Sequence, residues 1–89
     1  MLNGKTILIT GGTGSFGKKF LEMILTKYTP HRVIIYSRDE YKQFVMKSEY
    51  EKKFDMSKVR FFIGDVRDKE RLMRAFDHVD YVIHAAALK

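Results

Sequence analysis

The chain has 89 residues, 45% hydrophobic and 31% charged, which fits one small water-soluble domain with a thin core. It has no cysteine, which excludes disulfides and thiolate metal sites and points to a cytoplasmic setting. The net charge of +6 comes with both signs mixed along Lys47, Glu49, Glu51, Lys52 and Lys53, and no Lys/Arg run alternates with aromatics, so nucleic acid is not an expected partner; nor is a membrane, because no apolar stretch nears the roughly 18–20 residues that span one and Met1–Lys5 does not open a signal peptide.

Lys5–Thr10 is predicted as a short apolar strand. It runs straight into Gly11-Gly12-Thr13-Gly14-Ser15-Phe16-Gly17, which reads G-x-G-x-x-G from Gly12 and G-x-x-G-x-x-G from Gly11. A glycine turn between a strand and a helix lets the backbone approach a pyrophosphate and aims a helix N-terminus at it. Thr13, Gly14, Ser15 and Phe16 are expected to offer backbone N–H groups there, and a larger residue at Gly14 would push the phosphates away. Gly17 lets the helix lie close to the sheet. That helix is predicted from Ser15 to about Tyr28, with Phe16, Phe20, Ile24 and Tyr28 on one apolar face and Leu21 and Leu25 beside them. Pro30 ends it.

Arg32–Tyr36 is predicted as the second strand, and Ser37-Arg38 follows it. An NAD site usually places a carboxylate here to accept hydrogen bonds from the ribose hydroxyls. A carboxylate would repel a 2′-phosphate, whereas a serine and a guanidinium would hold one, so NADP is the expected cofactor. Asp39 and Glu40 would take the acidic role if the turn were displaced. Lys42 either adds charge near the phosphate or is an exposed helix lysine. A second helix is predicted from Asp39 to about Phe54, with Tyr41, Phe44, Val45 and Ser48 on one side.

After the polar loop Asp55–Lys58, a third strand is predicted at Val59–Ile63, closed by Gly64-Asp65. Asp65 could accept a hydrogen bond from an adenine amino group, with Val66 packed on the ring, or it could cap a helix. Arg67-Asp68 reads as local capping and a surface ion pair. Asp68 is the expected N-cap of a third helix, Lys69–Phe76, whose inner face is Leu72, Ala75 and Phe76. Asp77-His78 makes the turn into a fourth strand, Asp80–Ala87. The small residues Ala85, Ala86 and Ala87 leave room for the ribose and nicotinamide half of a cofactor. His84 reads as a structural histidine that strand alternation buries, since no Asp, Glu or Cys stands near it at ligand spacing. Lys89 falls at the rim of the crevice.

The order β-α-β-α-β-α-β predicts an α/β fold, the first half of a doubly wound parallel sheet with strand order 3-2-1-4. Residues 1–89 are therefore expected to be the N-terminal part of a larger dinucleotide-binding enzyme. No Tyr-x-x-x-Lys pair is present: Tyr28, Tyr36, Tyr41, Tyr50 and Tyr81 are followed four residues on by Arg32, Glu40, Val45, Phe54 and Ala85. No catalytic residue is assigned, and the chain alone is expected to be inactive. Without a fifth strand, Tyr81–Ala87 would be an apolar sheet edge, so self-association is expected.

Four segments occur together and in order: Thr10–Lys18, Tyr36-Ser37-Arg38-Asp39-Glu40, Phe62–Asp68 and His84-Ala85-Ala86-Ala87-Leu88-Lys89. The set resembles extended short-chain dehydrogenases/reductases and, within them, the inverting UDP-N-acetylglucosamine 4,6-dehydratases of bacterial surface-sugar biosynthesis. The resemblance implies an NADP-dependent lyase acting on UDP-N-acetylglucosamine by oxidation at C4, loss of water across C5 and C6, return of hydride to C6 and inversion at C5. It implies cofactor contacts from Thr13 to Phe16, from Arg38 through Tyr41 and Lys42 to Gln43, and from Asp65, Val66 and Ala86, with Lys89 at the cofactor–substrate junction. It also implies that the family's catalytic Asp-Lys pair and Tyr-x-x-x-Lys lie beyond residue 89. A related nucleotide-sugar epimerase or reductase, or a non-catalytic module on the same fold, are the alternatives.

Overall fold

The computed structural model describes residues 2–85. Its centre is β1 (Thr6–Thr10), all five residues of which are buried. A strand covered on both faces needs apolar or hydrogen-bonded side chains throughout, and Thr-Ile-Leu-Ile-Thr supplies them. β2 (Arg32–Ser37) pairs with β1 in parallel from Thr6 opposite Arg32 to Thr10 opposite Tyr36. β3 (Val59–Ile63) lies parallel on the far side of β2, and β4 (Tyr81–His84) parallel on the far side of β1. The order is β3-β2-β1-β4. The fold is thus the first half of a doubly wound Rossmann sheet, as the element order predicts.

The helices divide between the two faces. α1 (Ser15–Lys27) and α2 (Glu40–Tyr50) cover one, where Ile7, Ile9, Leu21, Ile24, Val33, Ile35, Met46, Tyr50 and Val59 form the main core. α3 (Lys69–Ala75) covers the other, with Leu8, Tyr36 and Ala75 buried and Leu72, Phe76 and Val79 packed against them. Each fully buried aliphatic side chain contributes about 2 kcal/mol.

The inner line of α1 is Gly17, Leu21 and Ile24; Phe16 is left 56% exposed, edge-on to Phe20 with ring centroids 5.0 Å apart. The apolar face is rotated from the predicted one because Gly17, having no side chain, is the point where the helix meets the loop. α2 departs further from expectation. It ends at Tyr50, not near Phe54, and Asp39 is its N-cap, accepting from the Lys42 N–H at 3.0 Å. The face with Tyr41 and Phe44 turns outward, at 74% and 68% exposure, and Gln43, Met46 and Tyr50 turn inward. Gln43 wins the inner position through hydrogen bonds, donating from Nε2 to the Ser37 carbonyl, the Ser37 Oγ and the Phe62 carbonyl. Asp68 caps α3 as expected, accepting from the Arg71 N–H. Of the predicted fourth strand Asp80–Ala87, Tyr81–His84 pair regularly, Asp80 and Ala85 flank them outside the strand, and Ala86 and Ala87 lie outside the described residues.

Candidate functional site

The carboxyl ends of β1, β2 and β3 open onto one cavity of about 690 Å³. It is lined by Gly11 and Thr13–Phe16 from the glycine turn, Tyr36–Asp39 and Lys42 from the end of β2, Gly64–Arg67 from the end of β3, and Ala85 after β4. A larger cleft of about 910 Å³ runs between α2 and the outer edge of β3, but it includes no part of the glycine turn. Ligands of open α/β sheets bind at the carboxyl ends of the strands, so the smaller cavity is the candidate site.

The glycine turn is built by backbone. The Gly11 N–H donates to the Tyr36 carbonyl at 2.8 Å, and Gly11 sits at φ +67, in the left-handed region that glycine tolerates best. A Cβ on Gly17 would come within 2.5 Å of Gly12 Cα and 2.8 Å of the Gly11 carbonyl oxygen, so only glycine lets α1 start this close to the loop. A Cβ on Gly14 would meet nothing nearer than 3.5 Å, because Gly14 faces the cavity. α1 opens at Gly14 without a side-chain cap and with no acidic residue in its first turn. Its first-turn N–H groups therefore lack intrahelical acceptors and carry the positive end of the helix dipole into the cavity. Of the four N–H groups expected to serve an anion, that of Gly14 is already used, donating to the Gly11 carbonyl at 3.1 Å.

The rim beside β2 and β3 is charged. Asp65 accepts from the Arg67 backbone N–H at 2.9 Å and from its guanidinium at 2.8 and 3.1 Å. Arg38 approaches the same carboxylate at 3.5 Å and remains 74% exposed. The side-chain hydrogen bond from Arg67, then its backbone N–H, hold the Asp65 carboxyl well below the usual carboxylate range. Asp65 is thus an ion-pair partner and not a helix cap, a role that falls to Asp68.

Tyr36 forms the floor. Its ring is fully buried, stacks on Phe62 and sends its hydroxyl to the Asp65 carbonyl at 2.9 Å. A Cβ on Gly64 would collide with that ring. Burial first, then the nearby Asp68, pushes the Tyr36 phenol up.

The cavity gathers Gly11, Thr13, Gly14, Ser15, Phe16, Ser37, Arg38, Asp39, Lys42, Asp65, Val66 and Ala85 from the expected set. Gly17 supports it from beneath. Glu40, Tyr41 and Gln43 do not line it: the first two face outward, and the Gln43 amide is spent on β2 and β3. Ser37 is 8% exposed, and its Oγ already accepts from Gln43 at 2.9 Å. His84 is exposed, not buried, because β4 is an edge strand; its Nδ1 lies 2.9 Å from Thr10 Oγ1. Ala86, Ala87 and Lys89 lie outside the described residues. Tyr36, Gly64 and Arg67 shape the site without having been singled out for it. The signal for the first two is a glycine just past β3, two residues beyond Phe62, the partner of Tyr36, which is visible only once the register is known. Among the described residues no cluster of three His, Cys, Asp or Glu side chains could hold a metal ion.

Fold and cavity together define the first half of a Rossmann-type sheet with an open cavity at its strand ends. The chain belongs to the polysaccharide biosynthesis protein family, whose sequence profile matches residues 7–89. It is 61% identical over 89 residues to the UDP-N-acetylglucosamine 4,6-dehydratase (inverting) of Campylobacter jejuni strain 81-176, covering all of this chain and 25% of that protein. It is 45% identical over 92 residues to the UDP-glucose 4-epimerase of Rickettsia typhi, covering all of this chain and 26% of that one. Among solved structures, Pen from Bacillus thuringiensis superposes with a TM-score of 0.90 at 39% identity, over 100% of this chain and 26% of that one. DesIV, a dTDP-glucose 4,6-dehydratase from Streptomyces venezuelae solved as a double mutant with NAD and DAU bound, superposes with a TM-score of 0.72 at 26% identity, over 93% and 26% of the two chains. The chain spans about a quarter of the length of the curated relatives it matches. No helix among the described residues is long and apolar enough to cross a membrane.

Proposed function

We propose that the chain is the cofactor-holding part of an NADP-dependent UDP-N-acetylglucosamine 4,6-dehydratase that inverts C5, a cytoplasmic lyase of surface-polysaccharide sugar biosynthesis. The observation that carries this reading is the 61% identity over all 89 residues to a protein of that printed activity, against 45% for the 4-epimerase.

The residues present fit a nicotinamide dinucleotide. The uncapped start of α1 and the open side of Gly14 suit a pyrophosphate. Arg38, with Lys42 behind it, suits a phosphate on the ribose 2′ position. The nearest alternative acid, Asp39, is occupied in capping α2, which favours NADP over NAD. Asp65 and Val66 suit the adenine, and Ala85 on the cavity wall suits the nicotinamide half, a role that the resemblance extends to Ala86 and Ala87. Lys89 is assigned to the junction with the UDP-sugar. When bound, the dinucleotide supplies a site that takes up a hydride and gives it back. The protein's part here is to orient it, since this chain carries no tyrosine–lysine pair to move protons. The overall reaction removes one water from the sugar and needs no external oxidant.

The test is incubation of the full-length protein with UDP-N-acetylglucosamine and NADP⁺. A 4-keto-6-deoxy UDP-sugar with inverted C5 and no net formation of NADPH is the expected result. A C4-epimerised UDP-sugar as the sole product would overturn the reading in favour of an epimerase.

A further inference from the structure

We propose that Arg67 is a positioning residue for cofactor choice: by holding Asp65 it leaves Arg38 available to the phosphate on the ribose 2′ position. The inference rests on the NADP reading of the cavity given above.

Two guanidiniums face one carboxylate at the cavity rim, and they hold it unequally. Arg67 grips Asp65 with Nη2 on Oδ2 at 2.8 Å, Nε on Oδ1 at 3.1 Å and on Oδ2 at 3.3 Å, and its backbone N–H on Oδ1 at 2.9 Å. Arg38 makes one contact, Nη1 to Oδ2 at 3.5 Å. A forked guanidinium–carboxylate pair is much the stronger arrangement. Arg38 is therefore the partner that leaves when a second anion arrives.

The arrangement answers a problem specific to this rim. Asp65 stands in the cavity that would receive a 2′-phosphate, and an uncompensated carboxylate there would both retain Arg38 and repel the phosphate. Arg67 neutralises it from the side, so the charge of Arg38 is not spent twice. Arg67 is 79% exposed on its side chain and packs into no core, so its removal alters charge and leaves the fold intact.

The test is calorimetric titration of the full-length protein with 2′,5′-ADP and with ADP, which share the adenine and differ in the 2′-phosphate. The ratio of the two affinities is the readout, because a merely structural role for Arg67 would move both together. Arg67→Gln is expected to lower the preference for 2′,5′-ADP over ADP about fivefold, the upper range for an exposed charge pair. Arg67→Lys, which keeps the charge, should restore most of the preference. In an Asp65→Asn background, Arg67→Gln should have no further effect on the ratio. An unchanged ratio in Arg67→Gln would overturn the proposal. An equal loss with and without the Asp65 carboxylate would also overturn it, since Arg67 would then touch the phosphate itself. If the unsubstituted protein binds both probes alike, the NADP reading fails first and takes this inference with it.

Discussion

Asp65 sets the electrostatics of the cavity mouth, and its state is open to direct measurement. Its folded-state pKa is depressed below 3.8, first by the Arg67 side chain. A depressed carboxylate adds stability that is present above the unfolded value and lost as pH falls through the folded one. Asp65 should therefore still be ionised at pH 3.8, where an unperturbed aspartate is half protonated. Carbon-13 titration of its carboxyl would show this, and a midpoint at or above 3.8 would mean that the Arg67 grip does not form in solution. Tyr50 gives the opposite sign. Its hydroxyl donates to Glu22 Oε2 at 2.6 Å, joining α2 to α1, and burial first, then this bond, raises the phenol. That contribution is complete below pH 10 and is lost as pH climbs from there toward the raised value. Tyr50→Phe should cost about 1 kcal/mol in urea denaturation, because the exposed Glu22 can turn to water. Neither pair was legible in the sequence. A contact between residues 65 and 67 depends on turn geometry and one between 22 and 50 on helix packing, and periodicity reports neither.

At the scale of the elements, the glycine turn separates two roles that the motif alone merges. Gly17→Ala puts a methyl against the backbone of Gly11 and Gly12. Alanine gains about 1 kcal/mol of helix propensity over glycine, but overpacking against backbone costs more, about 2–3 kcal/mol. The variant should be less stable by urea denaturation; equal or greater stability would mean that the loop yields freely. Gly14→Ala meets nothing closer than 3.5 Å, so stability should hold while dinucleotide affinity falls about tenfold, as expected when a charge-assisted phosphate contact is disturbed. Loss of stability with unchanged affinity would reverse the assignment. The strands and the first helix were legible from apolar runs and periodicity, with Pro30 ending the helix, and the third helix from its Asp68 cap. The inner face of α2 was not. Its aromatics Tyr41 and Phe44 suggested one side, whereas hydrogen bonds from Gln43 to Ser37 and Phe62 turn the other side inward.

At the scale of the whole molecule, β4 is the exposed end of the sheet among the described residues, with Tyr81 41% and Val82 39% exposed. An apolar strand with one unpaired edge recruits another. Met1–Lys89 expressed alone should therefore dimerise with rising concentration in sedimentation velocity; a strict monomer across the range would show that the edge is protected. The fold class was legible as a whole because strands and helices alternate at crossover spacing, and so was most of the cavity, because the strand ends that line it follow from strand order. The pairing of Arg67 with Asp65 and the outward placement of Glu40 and Tyr41 depend on side-chain direction, which strand order does not report. The proposed role of this half-sheet is to hold NADP through Arg38. Calorimetric titration of the full-length protein with NADP⁺ and NAD⁺, before and after Arg38→Ala, tests it most directly. NADP⁺ should bind about tenfold or more tightly than NAD⁺, the range of a charge-assisted phosphate contact, and the substitution should erase most of that difference; equal affinities in the unsubstituted protein would contradict the account.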